Sequence, residues 1–154
     1  GEGLMAKTTV SNTIVLVDDE LHNLVWLSDY LESQKIIVKV ASNLNDAITI
    51  LDKEIYRAFI VDLNIPALPP VDSAVSEMGA VYAKFPGLFA ARHARNQGYR
   101  GRQVVIYSVH KDPEVAAEAQ RLDCTYILKG RPKEIKAEID NVISFDPTTE
   151  GAGS

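Results

Sequence analysis

Cysteine is almost absent from these 154 residues: Cys124 stands alone, so no intrachain disulfide can form and no thiolate cluster can hold a metal. A reducing, cytoplasmic setting is expected. Long apolar runs are missing too. The longest are of strand length, far below the roughly 20 residues of a membrane helix, and the amino terminus lacks the basic region and apolar core of a secretory signal. No membrane partner is expected. Basic charge is in deficit, with 16 Lys and Arg against 21 Asp and Glu and a formal charge of -5. That balance repels a phosphate backbone and argues against direct nucleic-acid binding. The one basic cluster, Arg92, Arg95, Arg100 and Arg102, reads as a solvated helix face and loop, because Tyr99 alone is a thin platform for stacking bases. Internal repeats and low-complexity segments are also lacking.

What is present is enough apolar content, 46% of the residues, to bury one core. One domain is expected over residues 13–143, with flexible termini at 1–12 and 144–154. Gly1 to Leu4, ahead of Met5, read as an expression remnant, and Gly151 to Ser154 as a tag scar or the start of a linker. Ile14 to Val17 form a continuous apolar run suited to a strand covered on both faces. A helix is expected over Glu20 to Gln34, with Leu21, Leu24, Val25, Leu27 and Leu31 as its stripe and Trp26 just off it. Ile36 to Ala41 is a second strand. Asn43 can cap a helix carrying Leu44, Ala47, Ile48 and Leu51, before Ala58 to Val61 resume strand character. Gln103 to Ser108 and Thr125 to Lys129 are further strands. Asp112 to Leu122, with Pro113 in its first turn, and Pro132 to Ile143 are helices. Strand and helix alternate five times, which predicts an α/β doubly wound parallel sheet with helices on both faces.

One segment breaks the pattern. A strand-to-helix loop usually takes two to six residues, yet 64–86 contains Pro66, Pro69, Pro70 and Pro86 and delays the next helix to Gly87 through Asn96. Within this insertion Val71, Val75, Met78 and Tyr82 fall at helical spacing, with Asp72 or Ser73 as caps, so an extra helix is expected. The Met and aromatic stripe reads as packing.

The polar residues that follow the strands carry the chemistry. Asp18 and Asp19 follow the first, Asp62 the third, Ser108 ends the fourth and Lys129 follows the fifth. In a parallel sheet these all emerge at the carboxyl edge, where open α/β sheets bind ligands. Each is unremarkable singly, as turn former, cap or solvated charge; their common edge makes the pattern. Adjacent carboxylates repel unless a cation is present, and magnesium fits an all-oxygen set better than calcium, for which no ligand-dense loop exists. A strand-tip carboxylate beside such an ion can attack a phosphoryl group. Asp62 is the expected nucleophile, with Lys129 and Ser108 each contacting a phosphoryl oxygen. His22, His93 and His110 share no ligand spacing, and Cys124 reads as a small buried hydrophobe.

These residues, Ile14-Val15-Leu16-Val17-Asp18-Asp19-Glu20, Ile60-Val61-Asp62-Leu63-Asn64-Ile65-Pro66, Ile106-Tyr107-Ser108 and Tyr126-Ile127-Leu128-Lys129, resemble the receiver domain of two-component response regulators over roughly Thr13 to Ile143. The resemblance implies a flavodoxin-like sheet of order 2-1-3-4-5 and an Asp62 phosphorylated by a histidine kinase or histidine phosphotransfer protein. It implies magnesium held by Asp18, Asp19, Asp62 and the main-chain carbonyl of Asn64. It also implies a switch pair, Ser108 and Tyr126, that shifts the population between two packings and alters a protein-interaction surface. Such a protein takes part in phosphoryl transfer to its own Asp without being an enzyme. Three departures stand out. The 64–86 insertion is a candidate for covering the site, binding a partner or mediating a homodimer. Val109 is bulkier than the small residue usual there, and Gly130 replaces a proline that would favour a cis peptide.

Two other readings remain open on sequence grounds. A magnesium-dependent phosphatase of the haloacid dehalogenase kind also uses a strand-tip Asp, but it needs a second Asp where Asn64 stands and places its nucleophile on the first strand. A receiver-like binding module that works without phosphorylation would not need the acceptor residues present here.

Overall fold

A computed structural model describes residues 8–109, 111–130 and 132–144. Five parallel strands, β1 (Val10–Val17), β2 (Ile37–Ala41), β3 (Tyr56–Asp62), β4 (Val104–Ser108) and β5 (Thr125–Leu128), lie in the order β2-β1-β3-β4-β5. The doubly wound sheet and its order are as expected. The strands read as nearly unbroken apolar runs because both faces are covered. Ile14, Leu16, Ala58, Ile60, Val105 and Ile127 pack beneath α1 (Val25–Ser33) and α7 (Pro132–Ser144). Val15, Val17, Phe59, Val61, Val104 and Ile106 pack on the other face, against α2 (Leu44–Lys53), α5 (Pro86–Asn96) and α6 (Pro113–Leu122). Burying each large side chain contributes roughly 1.5–3 kcal/mol.

Local chemistry sets the ends of the helices. The Asn43 side chain accepts from the Asp46 N–H at 2.8 Å and Asp112 accepts from Glu114 and Val115 at 2.8 and 3.1 Å, so both fill the N-cap role. The helix expected from Glu20 instead opens as a 3-10 turn, Leu21–Leu24, and becomes α-helical only at Val25. Glu20 makes no side-chain cap bond, which leaves the first turn without an anchor for α geometry.

The insertion holds two short helices where one was expected: α3 (Val71–Glu77) and α4 (Ala80–Lys84). Gly79, at φ +118°, turns the chain between them. Pro70, not Asp72 or Ser73, occupies the N-cap position of α3. Val75 and Tyr82 are buried and anchor the two helices to the core, while Met78 is exposed. The segment is tied down at both ends. Asn45 exchanges hydrogen bonds with the Leu68 backbone at 2.9 and 3.1 Å, and the Tyr82 hydroxyl donates to Glu118 of α6.

Tyr99 lies in the core. It is fully buried, with its hydroxyl donating to the Glu54 carbonyl at 3.1 Å and accepting from the Tyr56 N–H at 2.9 Å, and so presents no ring to a base. Arg95, next to it, spends its guanidinium on the Leu122 and Tyr99 carbonyls. Among the described residues the cis peptide is Pro69–Pro70, and none lies after Lys129.

Candidate functional site

Strand alternation puts the charged groups of the site on one face. Asp18 continues the parity of Ile14 and Leu16, Asp62 that of Ala58 and Ile60, and Lys129 that of Ile127, all on the side covered by α1 and α7. Carboxylate oxygens of Asp18, Asp19 and Asp62 all lie within 4.8 Å of one another. Lys129 Nζ sits 2.7 Å from Asp62 Oδ1 and 3.1 Å from Asp18 Oδ2, and so bridges β1, β3 and the end of β5. Asp18 is 1% exposed and Asp62 5%, whereas Asp19 is exposed. Backbone N–H groups occupy the remaining oxygens: Glu20 donates to Asp18 Oδ1 at 2.9 Å and Asn64 to Asp62 Oδ2 at 3.0 Å.

These residues, with Glu20, Asn23, Asn64 and Val109, line a shallow cleft of about 230 Å³. Neither α3 nor α4 lines it; of the described residues of the 64–86 insertion, Asn64 does. Val109 is 58% exposed at the rim. A close approach fixes the turn after Asp62. The Gly87 N–H donates to the Leu63 carbonyl at 2.9 Å, and a Cβ on Gly87 would stand 2.0 Å from the Asp62 carbonyl oxygen.

Burial raises the Asp62 pKa, and the nearby Asp18 charge adds to it; the Lys129 hydrogen bond and charge and the Asn64 N–H oppose but do not cancel the rise. For Lys129 the balance is reversed. Burial disfavours the ammonium, but the hydrogen bonds and charges of Asp62 and Asp18 outweigh it and raise its pKa. A carboxylate whose pKa is raised by folding contributes stability below its unfolded pKa and loses it as pH climbs through the folded value. The metal-free protein is therefore expected to gain stability as pH falls from neutral toward the raised Asp62 pKa. Asp62→Asn, which removes one carboxylate from the cluster, should stabilise it at pH 7 by about 1 kcal/mol, or about 3 °C in Tm. Thermal melts of both proteins in chelator check this; a lower Tm for the variant contradicts it.

Ser108 and Tyr126 lie on the opposite face of the sheet from Asp62, in the parity of Ile106. Ser108 is buried at the tip of β4, where its carbonyl accepts the Lys129 N–H at 2.8 Å. Tyr126 stands apart from the acidic cleft. Its hydroxyl accepts from the Asp112 N–H at 3.1 Å, with Lys111 Nζ 5.2 Å from its ring centroid. His93 pairs with Asp52 at 2.7 Å, away from the site, and His110 falls outside the described residues. Cys124 is half-buried, with its thiol pushed up to about 12 by that burial, which keeps it inert.

One residue at the site was not read as part of it from the sequence. Tyr107 presents its ring 5.2 Å from Lys129 Nζ. The alternation that turns Asp62 toward α1 turns Tyr107 the same way, a signal masked by the apolar run in which Tyr107 sits.

No family model matches the chain, and no curated protein does. Solved structures do. A two-component response regulator from Clostridium difficile is similar at a TM-score of 0.64 and 16% identity, over 86% of this chain and 95% of that one. A CheY-like receiver domain from Methanospirillum hungatei JF-1 is similar at 0.65 and 16%, over 86% and 93%. The BeF3-activated receiver domain of RstA from Klebsiella pneumoniae is similar at 0.65 and 18%, over 86% and 99%. The chain thus has the fold of the response-regulator receiver domain.

Proposed function

We propose that this chain is a phosphoryl-accepting receiver of two-component signalling, modified on Asp62 by a histidine kinase or histidine phosphotransfer protein. The observation that carries the reading is Asp62, nearly buried at a strand tip, with an ammonium 2.7 Å from one oxygen and two further carboxylates beside it. An Asp62 oxygen attacks the phosphorus of a phosphoimidazole. The P–N bond breaks with its electron pair going to the imidazole nitrogen, and an acyl phosphate forms. Lys129 turns from pairing the carboxylate to pairing a phosphoryl oxygen, which keeps a positive charge on the group as it transfers. The Ser108 hydroxyl serves a second phosphoryl oxygen.

The donor set fits magnesium: clustered carboxylate oxygens, free of His or Cys among the described residues in the group. Asp18, Asp19, Asp62 and the Asn64 carbonyl would hold it, and it would supply charge neutralisation for the phosphoryl oxygens. Because the product stays on the protein, the output is a change of conformation and not turnover. Ser108 and Tyr126, on the face packed by α5 and α6, are the residues through which the acyl phosphate shifts the population toward a second packing.

Acetyl phosphate with magnesium should add one phosphoryl group to the protein and none to Asp62→Ala, read by intact mass. Equal labelling of both proteins overturns the assignment, as does multiple turnover of a phosphate ester that depends on Asp62.

A further inference from the structure

Lys129 follows β5, whereas Asp62 ends β3, and β4 lies between them. Strands in a sheet are about 4.8 Å apart, so the lysine must cross about 10 Å, directly over β4, to reach its partner. The β4 residue in register with Asp62 is Tyr107, and it is also in register with Ile127, two residues before Lys129. Residues in register on parallel strands point to the same face, so the phenol ring lies under the path of the lysine. The ring centroid is 5.2 Å from Nζ and the side chain is 3% exposed.

We infer that Tyr107 is a positioning residue for Lys129. The electron-rich ring face offers the ammonium a favourable surface where burial strips it of water, and it steers the flexible side chain toward Asp62 and Asp18. Nothing else about a lysine fixes its direction: it has three donors and four rotatable bonds, and the two carboxylates attract it from different strands.

The rate consequence rests on the phosphoryl-accepting reading; the placement of the lysine does not. Two variants, Tyr107→Leu and Tyr107→Phe, test it, with amide spectra to establish that each is folded. The Lys129 ε-methylene protons should resonate upfield, under the ring current, in the wild type and Tyr107→Phe, and lose that shift in Tyr107→Leu. An unchanged shift in Tyr107→Leu overturns the inference whether or not the protein takes up phosphate. With acetyl phosphate, Tyr107→Leu should label about tenfold more slowly, and Tyr107→Phe should recover most of that loss because it keeps the ring face. Wild-type labelling by Tyr107→Leu, or equally slow labelling by both Tyr107 variants, overturns it too. Absence of label on the wild type defeats the functional reading and leaves the methylene protons to decide this one.

Discussion

Lys129→Ala is expected to slow phosphoryl uptake by Asp62 about a hundredfold, the size of effect seen when one preorganised donor to a developing oxyanion is removed. The ammonium lies 2.7 Å from Asp62 Oδ1 and 3.1 Å from Asp18 Oδ2 and is itself mostly buried, so it acts in a medium where charge is weakly screened. Its removal has two effects of opposite kind. The transferring oxygens lose their cation, which slows the reaction, and Asp18 and Asp62 lose the charge that separates them, which lowers the stability of the metal-free protein. Lys129→Arg should not rescue the rate, because a planar guanidinium cannot take the place of a compact ammonium between the two carboxylates. The time course of labelling by acetyl phosphate, followed by phosphate-affinity electrophoresis, gives the rates. A wild-type rate in Lys129→Ala would remove the lysine from the reaction.

Gly87→Ala is expected to destabilise the protein by about 3 kcal/mol or more, which lowers Tm by about 10 °C. Alanine is normally the better helix former, so the sign is opposite to propensity. The reason is steric: the new Cβ would stand 2.0 Å from the Asp62 carbonyl oxygen, at the end of β3, and 2.8 Å from the Cα of Leu63, the residue after it, and both are backbone atoms that cannot rotate away. Helix α5 would have to lift from β3 at Asp62. A melting curve settles the magnitude, and an unchanged or raised Tm would show that α5 does not sit as described. The consequence reaches the site, since the Gly87 N–H bond to the Leu63 carbonyl fixes the turn after Asp62.

The sheet was legible because parallel strands covered on both faces are short unbroken apolar runs, and Ile14 to Val17 and Ala58 to Val61 have no other reading once helices of regular period separate them. The convergence of Asp18, Asp62 and Lys129 was legible for the same reason: each follows a run, and runs in a parallel sheet end at one edge. Features that depend on pairs of distant residues were not. Val71, Val75, Met78 and Tyr82 keep a helical period straight through Gly79, so the break between α3 and α4 is invisible in periodicity and becomes evident only as a φ of +118°. Gly87 carries no local mark of its contact with Asp62. The burial of Tyr99 carries no local mark either, because its partners, the Glu54 carbonyl and the Tyr56 N–H, are more than forty residues away. Tyr107 was hidden in plain view, since its face follows from alternation but its neighbours follow only from the strand order.

The most direct measurement is an amide NMR titration of the wild type and Asp62→Ala with magnesium, then with magnesium and beryllofluoride, a phosphoryl mimic. Saturable shifts should centre on Asp18, Asp62, Asn64, Ser108 and Lys129 in the wild type, with the beryllofluoride step absent from Asp62→Ala. Shifts of the same size in both proteins, or shifts centred away from the carboxyl edge of β1 and β3, would contradict a phosphoryl site built on Asp62.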